Sequence, residues 1–475
     1  MLRDRGLNNY PRIITSTIQL IMVSPPVKSH LYWCMECNVP LLGRTCGCGC
    51  KGRDIELIKP YDVRPALKAD MDLLRDLLAR RFGCADIPDV VLFNKTGGLD
   101  RNDQVIANGE RFGWLTFDPC AKEYRFDPSF EALPFLVPRI TKGIVDVTDS
   151  IERDGAMRGK RIGGKRVRVK SSLSEGGVVV RAGSLWGIGQ LREGHVRIKQ
   201  IGKVVPREYP ESDWGAAIKA NIVHLKNLER NAVRFIRQHT KDISCANVSF
   251  SGGKDSTAVL ELARRAGVET VYFVDTGMEF PETLELVDRL DIPIRLHGRD
   301  FWEKAEEAGP PRKDNRWCCE QLKLQPVKDW LSGTGECVTV QGNRWYESFA
   351  RAGLPAVSKN PFNPSQVNIS PIRNWRALEV FLYIWWRKLP YNPLYEMGLE
   401  RVGCWMCPAM LESEFDRVKR LHPDLYRRWM KFLREWFSER IDDRYITCGL
   451  WRWDNLPAKM RELAAERKIR IPKPE

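Results

Sequence analysis

Hydrophobic and polar positions alternate with two different periods along this chain, and the change of period divides it into segments. From residue 243 to 407, short apolar runs alternate with stretches in which apolar residues recur every three or four positions, as in a helix. The predicted strands are ISCANVSF, VETVYFVD, IPIRLHG and ECVTVQG, and TAVLELARRA is a predicted helix. This order predicts a doubly wound α/β domain, whose ligands bind beyond the carboxyl ends of the strands.

The segments on either side of this domain have other patterns. Residues 56–136 combine the helical pattern PALKADMDLLRDLLARRF with strand-like pieces and predict a small α+β domain. Residues 137–207 carry short β-runs separated by glycine, which is typical of a small barrel, and residues 208–242 have the apolar spacing of a linking helix. Residues 408–475 are amphipathic, basic and aromatic, and we expect them to form helices packed on the α/β domain.

Composition favours a cytoplasmic protein of several domains that meets polyanions. The chain has 475 residues, with 76 lysines and arginines against 61 acidic residues, for a net charge of +15. This charge fits phosphate or nucleic-acid contacts, although a merely basic soluble surface would look the same. Polar residues interrupt the apolar stretch of residues 1–30, so we expect a disordered N-terminus that starts at Met1 or Met22. Elsewhere the longest purely apolar run, VFLYIWW, is far shorter than the ~20 residues that span a membrane.

Cysteine clustering predicts metal sites rather than a disulfide framework, since 14 cysteines occur in a large chain without a secretory signal. Residues 31–55 contain a CxxC and three further cysteines, a pattern typical of a zinc ribbon, with an iron–sulfur centre as the alternative. The Zn²⁺ ligands we expect are Cys34, Cys37, Cys46 and Cys50. Cys48 is the alternative ligand in place of either Cys46 or Cys50. The isolated cysteines, which we expect in the core, are Cys84, Cys120, Cys245 and Cys337.

The turn after the first strand of the α/β domain, SGGKDS at 251–256, has the chemistry of a phosphate site. Gly252 and Gly253 let backbone N–H groups approach a ligand, and the N-terminus of the next helix adds partial positive charge. The spacing is not that of a Walker A loop, GxxxxGK[ST], and a plain glycine turn is the alternative. The second strand ends in another polar loop, DTGMEFPET at 275–283, which belongs to the same edge of the sheet.

These two loops resemble the PP-loop and the second signature of the PAPS reductase family, which is part of the N-type ATP pyrophosphatases. The resemblance implies ATP and Mg²⁺ as ligands, with Asp255 near the metal ion and with Lys254 and Asp255 as catalytic residues. The nucleotide-binding residues that it implies are Ser251, Gly252, Gly253, Lys254, Asp255, Ser256, Asp275, Thr276 and Gly277.

Three later motifs extend the resemblance: RWCCEQLKLQPV, QGNRWYESFAR and LPYNPLYEMGLERVGCWMCP. They imply that Lys323, Arg344 and Arg351 bind the substrate, although Leu322 stands where the family has an arginine. Four cysteines of these motifs resemble the ligands of the [4Fe–4S] cluster of adenylyl-sulfate (APS) reductases, and four thiolates are what such a cluster needs. The cysteines are Cys318, Cys319, Cys404 and Cys407. Zinc or uncoordinated core thiols are the alternatives.

Cys448, in YITCGLWRW, occupies a place comparable to the nucleophilic cysteine of those reductases. Their ECG[LI]H context is altered here, because Thr447 and Trp451 replace the flanking glutamate and histidine. A catalytic thiolate normally needs neighbouring positive charge or a base, so a structural thiol is the alternative for Cys448.

The barrel segment resembles a PUA domain, an RNA-binding module, in DSIERDGAMRGKRI, VVVRAGSLWGIGQL and GHVRIKQIG. The preceding α+β segment would then be the domain that often accompanies it. Between residues 157 and 170 there are seven basic residues and no acid. The RNA-binding residues we expect are Arg158, Lys160, Arg161, Lys165, Arg166 and Arg168. A solvated basic barrel with a structural role is the alternative.

Taken together, the motifs favour an ATP-dependent adenylating sulfurtransferase that acts on RNA, with tRNA as the expected class. ATP would adenylate a substrate oxygen with release of pyrophosphate, and sulfur from a separate sulfur or electron donor would replace that oxygen. The first alternative is an APS or PAPS reductase that releases sulfite, but such reductases usually carry an altered PP-loop and SGGKDS is complete. DNA is not excluded as the nucleic acid, and a non-catalytic RNA-binding protein is the second alternative.

Overall fold

The structure is a computed structural model of the chain, and it describes residues 28–153, 164–437 and 441–472. The expected disordered N-terminus therefore lies almost wholly outside the described residues. No helix in these ranges is both long and apolar enough to cross a membrane.

The N-terminal cysteine-rich unit is a small antiparallel sheet with the strand order β2-β1-β3. Its strands are β1 (His30–Cys34), β2 (Val39–Leu41) and β3 (Arg53–Glu56). The unit packs closely on the long helix that begins at Trp214: the Gly47 N–H donates to Ala220 O, and a Cβ at Gly47 would lie 3.0 Å from Lys219 O. The cysteine-rich unit is therefore packed against the rest of the protein through this helix.

An antiparallel meander, β4-β5-β6-β7-β8, follows the ribbon and carries one long helix on its face. The elements are β4 (Val63–Pro65), α1 (Lys68–Phe82), β5 (Val91–Lys95), β6 (Asn102–Ala107), β7 (Glu110–Asp118), β8 (Glu123–Pro128) and α2 (Leu133–Leu136). The helix forms where leucines recur at helical spacing, and Leu74, Leu78 and Phe82 bury that stripe against Val91 and Phe93 of the sheet.

The next unit is a five-stranded sheet of order β10-β13-β12-β11-β9, antiparallel except for the β9–β11 pair. Its elements are β9 (Ile144–Asp146), α3 (Thr148–Arg153), β10 (Arg166–Arg168), β11 (Gly176–Ala182), β12 (Leu185–Arg192) and β13 (His195–Gly202). Alternate residues such as Val167, Val196 and Ile198 are buried in its own small core, whereas the residues between them face solvent. Helix α4 (Trp214–Thr240), capped by the Asp213 carboxylate, leads from this sheet to the α/β domain.

The predicted doubly wound domain is confirmed as a six-stranded sheet of order β16-β15-β14-β17-β19-β18, parallel except for β18. Its elements are β14 (Cys245–Phe250), α5 (Lys254–Ala266), β15 (Val271–Asp275), α6 (Pro281–Arg289), β16 (Ile294–His297), α7 (Phe301–Ala308), α8 (Trp317–Cys319), α9 (Gln325–Leu331), β17 (Cys337–Val340), α10 (Phe349–Ala352), β18 (Val357–Asn360), β19 (Asn363–Ile369) and α11 (Ala377–Trp386). The chain order reverses between β14 and β17, and this reversal opens a crevice at the carboxyl ends of the two strands.

The C-terminal region is helical, as expected, and it packs against the segments that carry the four cysteines expected to bind a cluster. Its helices are α12 (Glu412–Leu421), α13 (Pro423–Phe437), α14 (Asp443–Thr447) and α15 (Ala458–Glu466). Trp429, Trp451 and Leu433 are buried in one core with Trp405, and Cys404 and Cys407 pack against that core. The tail therefore forms a wall of the cysteine centre.

Two disulfide bonds differ from the sequence expectation of isolated core cysteines. Cys120 is bonded to Cys448, and Cys245 is bonded to Cys337, each pair with a Cα–Cα distance of 4.6 Å. Cys245 and Cys337 are register partners on the adjacent strands β14 and β17. Because the partners are 328 and 92 residues apart, no local pattern could indicate the pairings.

Candidate nucleotide site and cysteine centres

The SGGKDS turn forms the loop between β14 and α5, and its glycines meet a steric requirement. Gly252 has φ of +73°, and a Cβ there would lie 2.5 Å from Thr283 Cγ2. Ser256 Oγ accepts hydrogen bonds from both the N–H and the hydroxyl of Ser251 and donates to Gly253 O. These contacts fix the loop at the N-terminus of α5, where backbone N–H groups and the helix dipole favour an anion.

A pocket of about 260 Å³ opens in front of this loop, at the β14–β17 reversal. It is lined by loop residues, by residues 341–343 after β17, and by Glu347, Arg351, Tyr395 and Arg401. A Cβ at Gly342 would lie 2.9 Å from the Asp255 carbonyl carbon, so only glycine lets the two loops approach this closely. The lining is polar and holds three cations, Lys254, Arg351 and Arg401, against two carboxylates, a composition that fits a polyphosphate.

A second pocket of about 150 Å³ adjoins the first and shares Ser249, Ser251 and Gln341 with it. Its remaining wall includes the side chains of Tyr272 and Phe273 and the polar groups of residues 360 and 366. A basic pocket beside a more apolar one matches the two halves of a nucleotide. Glu279 of the DTGMEFPET segment and Val274 just before it line this second pocket, whereas the predicted residues Asp275, Thr276 and Gly277 line neither.

The predicted metal-binding carboxylate, Asp255, lies among cations. Its Oδ2 is 2.9 Å from Lys254 Nζ, and its Oδ1 is 2.6 Å from Arg344 Nε. Burial alone would raise the pKa of Asp255, but Arg344 and then Lys254 hold that pKa below its usual value. An ionised carboxylate at a phosphate pocket has the oxygen ligands that Mg²⁺ prefers, so the residues fit the implied metal ion.

The three predicted substrate-binding residues have different placements. Arg351 lines the phosphate pocket and pairs with Glu347, and Lys323 lines the second pocket. Arg344 is only 1% exposed and donates to both oxygens of Asp62 as well as to Asp255, so its placement does not fit direct contact with a substrate anion. Sequence reasoning missed two residues of the LPYNPLYEMGLERVGCWMCP motif: Arg401, which lines the pocket near Glu347, and Tyr395, whose Oη accepts the Lys254 N–H.

The DTGMEFPET segment joins the nucleotide pockets to the cysteine centre. Thr276 Oγ1 donates to Glu279 Oε1 at 2.9 Å and lies 3.5 Å from Cys404 Sγ. Glu279 and Cys404 also form a short antiparallel bridge, and Lys323 Nζ lies 3.7 Å from Glu279 Oε1. Asp275 accepts the Gly277 N–H and so shapes the turn. Glu279 therefore lines the second pocket and also contacts Cys404, so the pocket and the cysteines share a wall.

Cys318, Cys404 and Cys407 pack against the same hydrophobic core, and Cys319 is adjacent to Cys318. The Cys319 thiol, then burial, and then the charges of the other cysteines raise the pKa of Cys318. A hydrogen bond from Cys318 lowers the pKa of Cys319 to about 6, and burial raises that of Cys404 to about 12. Four thiols are the donor set that an iron–sulfur cluster needs, so the residues fit such a cluster.

The N-terminal cysteines form a tighter group. The sulfurs of Cys34, Cys37, Cys46 and Cys48 all lie within 4.8 Å of one another, the one such metal-ligand group in the described residues. Cys34 and Cys48 are 3.6 Å apart and Cys37 and Cys46 are 3.8 Å apart, close to the ~3.8 Å edge of a tetrahedron with Zn–S bonds of about 2.3 Å. The alternative ligand Cys48 completes this group in place of the expected Cys50, whose carbonyl accepts the Cys46 N–H across the hairpin.

Exposed basic residues form a grid on the sheet of β10, β13 and β12. Arg166 lies directly opposite Arg197, and His195 lies between Arg168 and Arg192. Like charges directly opposite each other destabilise a sheet unless an anion lies over them. None of these four arginines has an ion-pair partner in residues 164–437 or elsewhere in the described chain, and none of the three strands contains an acid. Arg158, Lys160 and Arg161 lie outside the described residues, and Lys165 is partly buried.

The chain is similar to known proteins, most of all in the α/β domain. Residues 245–410 match the sequence model of the family described as phosphoadenosine phosphosulfate reductase domain. An uncharacterized protein of Methanocaldococcus jannaschii is 34% identical, over 91% of this chain and 98% of the relative. The adenosine 5'-phosphosulfate reductase of Salinibacter ruber is 35% identical, over 30% of this chain and 59% of the relative. The crystal structure of phosphoadenylyl-sulfate reductase from Candida auris, a phosphate complex, is 20% identical, with a TM-score of 0.32 over 38% of this chain and 95% of that one.

Proposed function

The chain belongs to the phosphoadenosine phosphosulfate (PAPS) reductase family, and from this membership we propose that it is an ATP-dependent enzyme that adenylates a nucleic acid. In this reaction a substrate oxygen attacks the α-phosphorus of ATP, the bond to the bridging oxygen breaks, and pyrophosphate leaves. A donor of sulfur at the oxidation level of sulfide then displaces AMP, so that sulfur replaces the oxygen. RNA is the proposed substrate, with tRNA as its class.

The observation that carries this proposal is the complete phosphate cradle. The loop and the N-terminus of α5 present donors to a pyrophosphate leaving group, and Lys254 adds a fixed positive charge at the same place. Asp255 would hold Mg²⁺, which when bound neutralises charge on the phosphates. Adenylyl sulfate has no β-phosphate and would leave this cradle without a use. Arg351 and Arg401 at the mouth can hold an anionic second substrate.

Cys448 weakens the reductase alternative. A reductase of this family needs an accessible thiol to attack the sulfur of the sulfonucleotide. Here Cys448 is 2% exposed and is bonded to Cys120, so the candidate nucleophile is neither free nor accessible. This placement argues against the predicted catalytic role of Cys448 and favours the structural alternative.

The two cysteine sites have separate proposed roles. Cys318, Cys319, Cys404 and Cys407 would bind a [4Fe–4S] cluster, which when bound supplies an iron site for sulfur beside the nucleotide pocket. Cys34, Cys37, Cys46 and Cys48 would bind a structural Zn²⁺ that fixes the ribbon against α4.

The basic grid supports a nucleic-acid substrate. Arg166, Arg168, Arg192 and Arg197 are exposed on adjacent strands without acidic partners, an arrangement that favours a ladder of phosphates. Arg192 and Arg197 add two neighbouring arginines to the RNA-binding residues Arg166 and Arg168 that were predicted from the sequence. The predicted PUA-like module and the basic net charge point to the same class of partner.

The test uses the full chain, reconstituted anaerobically with iron and sulfide, and measures pyrophosphate and AMP formed from ATP with and without total tRNA. We expect RNA-stimulated release of pyrophosphate that Asp255→Asn abolishes. A matched assay supplies adenylyl sulfate and a thiol reductant. Sulfite production together with no pyrophosphate from ATP would show that the protein is a reductase.

A further inference from the structure

We propose that Asp62, in the N-terminal α+β domain, is a positioning residue for Asp255 of the PP-loop and acts through the buried Arg344. This inference rests on the proposed function, because it concerns the carboxylate that would hold Mg²⁺. Asp62 lies far outside the 245–410 segment that matches the family, so the family match assigns it no role.

The three side chains form a continuous chain of charges. Asp62 Oδ1 and Oδ2 accept from the two terminal nitrogens of Arg344 at 2.6 and 3.0 Å, and Arg344 Nε donates to Asp255 Oδ1 at 2.6 Å. Arg344 is 1% exposed. A buried guanidinium without carboxylate partners destabilises a protein. The buried Arg344 guanidinium therefore holds both Asp62 and Asp255 in place.

Asp62 also limits how Arg344 can bind Asp255. A guanidinium prefers to grip one carboxylate with two parallel hydrogen bonds. Asp62 accepts one N–H from each terminal nitrogen and so orients Arg344 with its Nε towards Asp255 Oδ1, and Asp255 Oδ2 remains with Lys254 at the pocket. Without the charge on Asp62, Arg344 would turn its fork towards Asp255 and take the oxygen that a metal ion needs.

Asp62 is itself anchored by the α/β domain. Its Oδ1 accepts the N–H of Ala377, the first residue of α11, at 2.8 Å. An Asn side chain at 62 keeps an oxygen for this cap but replaces the second oxygen with a donor that faces the guanidinium. Asp62→Asn therefore removes the charge while keeping most of the shape.

The experiment measures metal affinity directly, since activity alone would not separate positioning from stability. The full chain is loaded with an α,β-methylene analogue of ATP, and binding of Mn²⁺ is followed by electron paramagnetic resonance. We expect Asp62→Asn to weaken Mn²⁺ binding about 10-fold. In an Asp255→Asn background it should have no further effect, because the residue through which it acts is gone.

Asp100→Asn is the matched control. Asp100 is a buried carboxylate of the same domain that caps α12 through the N–H groups of Glu412 and Ser413, away from the loop. Asp100→Asn should lower the melting temperature as Asp62→Asn does, but it should leave the affinity for Mn²⁺ at the wild-type value.

Equal Mn²⁺ affinity in wild type and Asp62→Asn would overturn the inference, as would an additive loss in the double variant. The proposed function fails separately, if the wild-type chain binds Mn²⁺ and the analogue but releases no pyrophosphate. In that case a 10-fold effect of Asp62→Asn on Mn²⁺ still supports the positioning role.

Discussion

Gly252 offers the sharpest test of the loop geometry, because its neighbour Gly253 provides a built-in comparison. Gly252→Ala places a side chain at φ of +73° and a Cβ 2.5 Å from the Cγ2 of Thr283. Gly253→Ala adds the same methyl at φ of −88°, with Tyr395 Oη as its nearest neighbour at 3.3 Å. The two variants have the same chemistry one residue apart, but only the first meets a conformational and a steric barrier.

The cost at Gly252 has two parts. A left-handed backbone conformation costs a non-glycine residue about 1–2 kcal/mol, and forcing a methyl into a packed site costs about 1–3 kcal/mol. Thr283 cannot easily withdraw, since it is fully buried and its Oγ1 accepts from Asn392 Nδ2. We therefore expect Gly252→Ala to destabilise the α/β domain by about 2–5 kcal/mol. Gly253→Ala should stay within about 1 kcal/mol of wild type.

Calorimetry of the variants, together with Gly252→Ala/Thr283→Ser, separates the two parts. The serine keeps the hydroxyl that binds Asn392 but removes Cγ2, so the double variant should recover the steric part and retain the backbone part. Thr283→Ser alone corrects for the lost methyl. If Gly252→Ala and Gly253→Ala unfold at the same temperature, the loop does not have the geometry described. The same holds if Thr283→Ser recovers none of the stability lost in Gly252→Ala.

Other expectations can be checked on single variants. Metal analysis should find that Cys48→Ser loses one zinc per chain whereas Cys50→Ser keeps it; the reverse would restore the ligand set expected from the sequence. Arg197→Ala should reduce the slope of log affinity for RNA against log salt by about 1, and an unchanged slope would remove the grid from the interface. Burial and then Arg452 lower the pKa of Lys313 to about 7, so near pH 6 the native state must bury an ammonium ion. Lys313→Met should therefore raise the unfolding free energy by about 1–3 kcal/mol at pH 6, and the gain should shrink as pH rises from 7 towards 10; a gain independent of pH would contradict this.

The sequence predicted the α/β domain well because its signals are local. Predicted strands contain observed ones, as at Cys245–Phe250 and Val271–Asp275, and the predicted helix TAVLELARRA lies within α5, which begins three residues earlier at Lys254. Apolar runs and glycine turns act over a few residues, so a single chain reveals them. The antiparallel strand Val357–Asn360 was not predicted, because an edge strand with polar residues has no such pattern.

What the sequence could not predict depends on contacts between distant segments. Arg344 has the motif of a substrate-binding arginine, and only the fold shows that Asp62, 282 residues earlier, takes up its donors. The choice between Cys48 and Cys50 turns on the shape of one hairpin. The partner of Cys448 lies in another domain. Each of these outcomes follows from packing, on which local periodicity has no bearing.

The Cys120–Cys448 bond also decides how the protein would respond to mechanical force. It closes a covalent ring over a sequence separation of 328 residues, and the whole α/β domain lies inside that ring. Force applied to the two ends of the chain would be transmitted through the disulfide bond. The enclosed domain would therefore bear none of that force. Fully extended, the enclosed residues would span roughly 1,100 Å, and in an optical trap this length should appear only after a reductant is added.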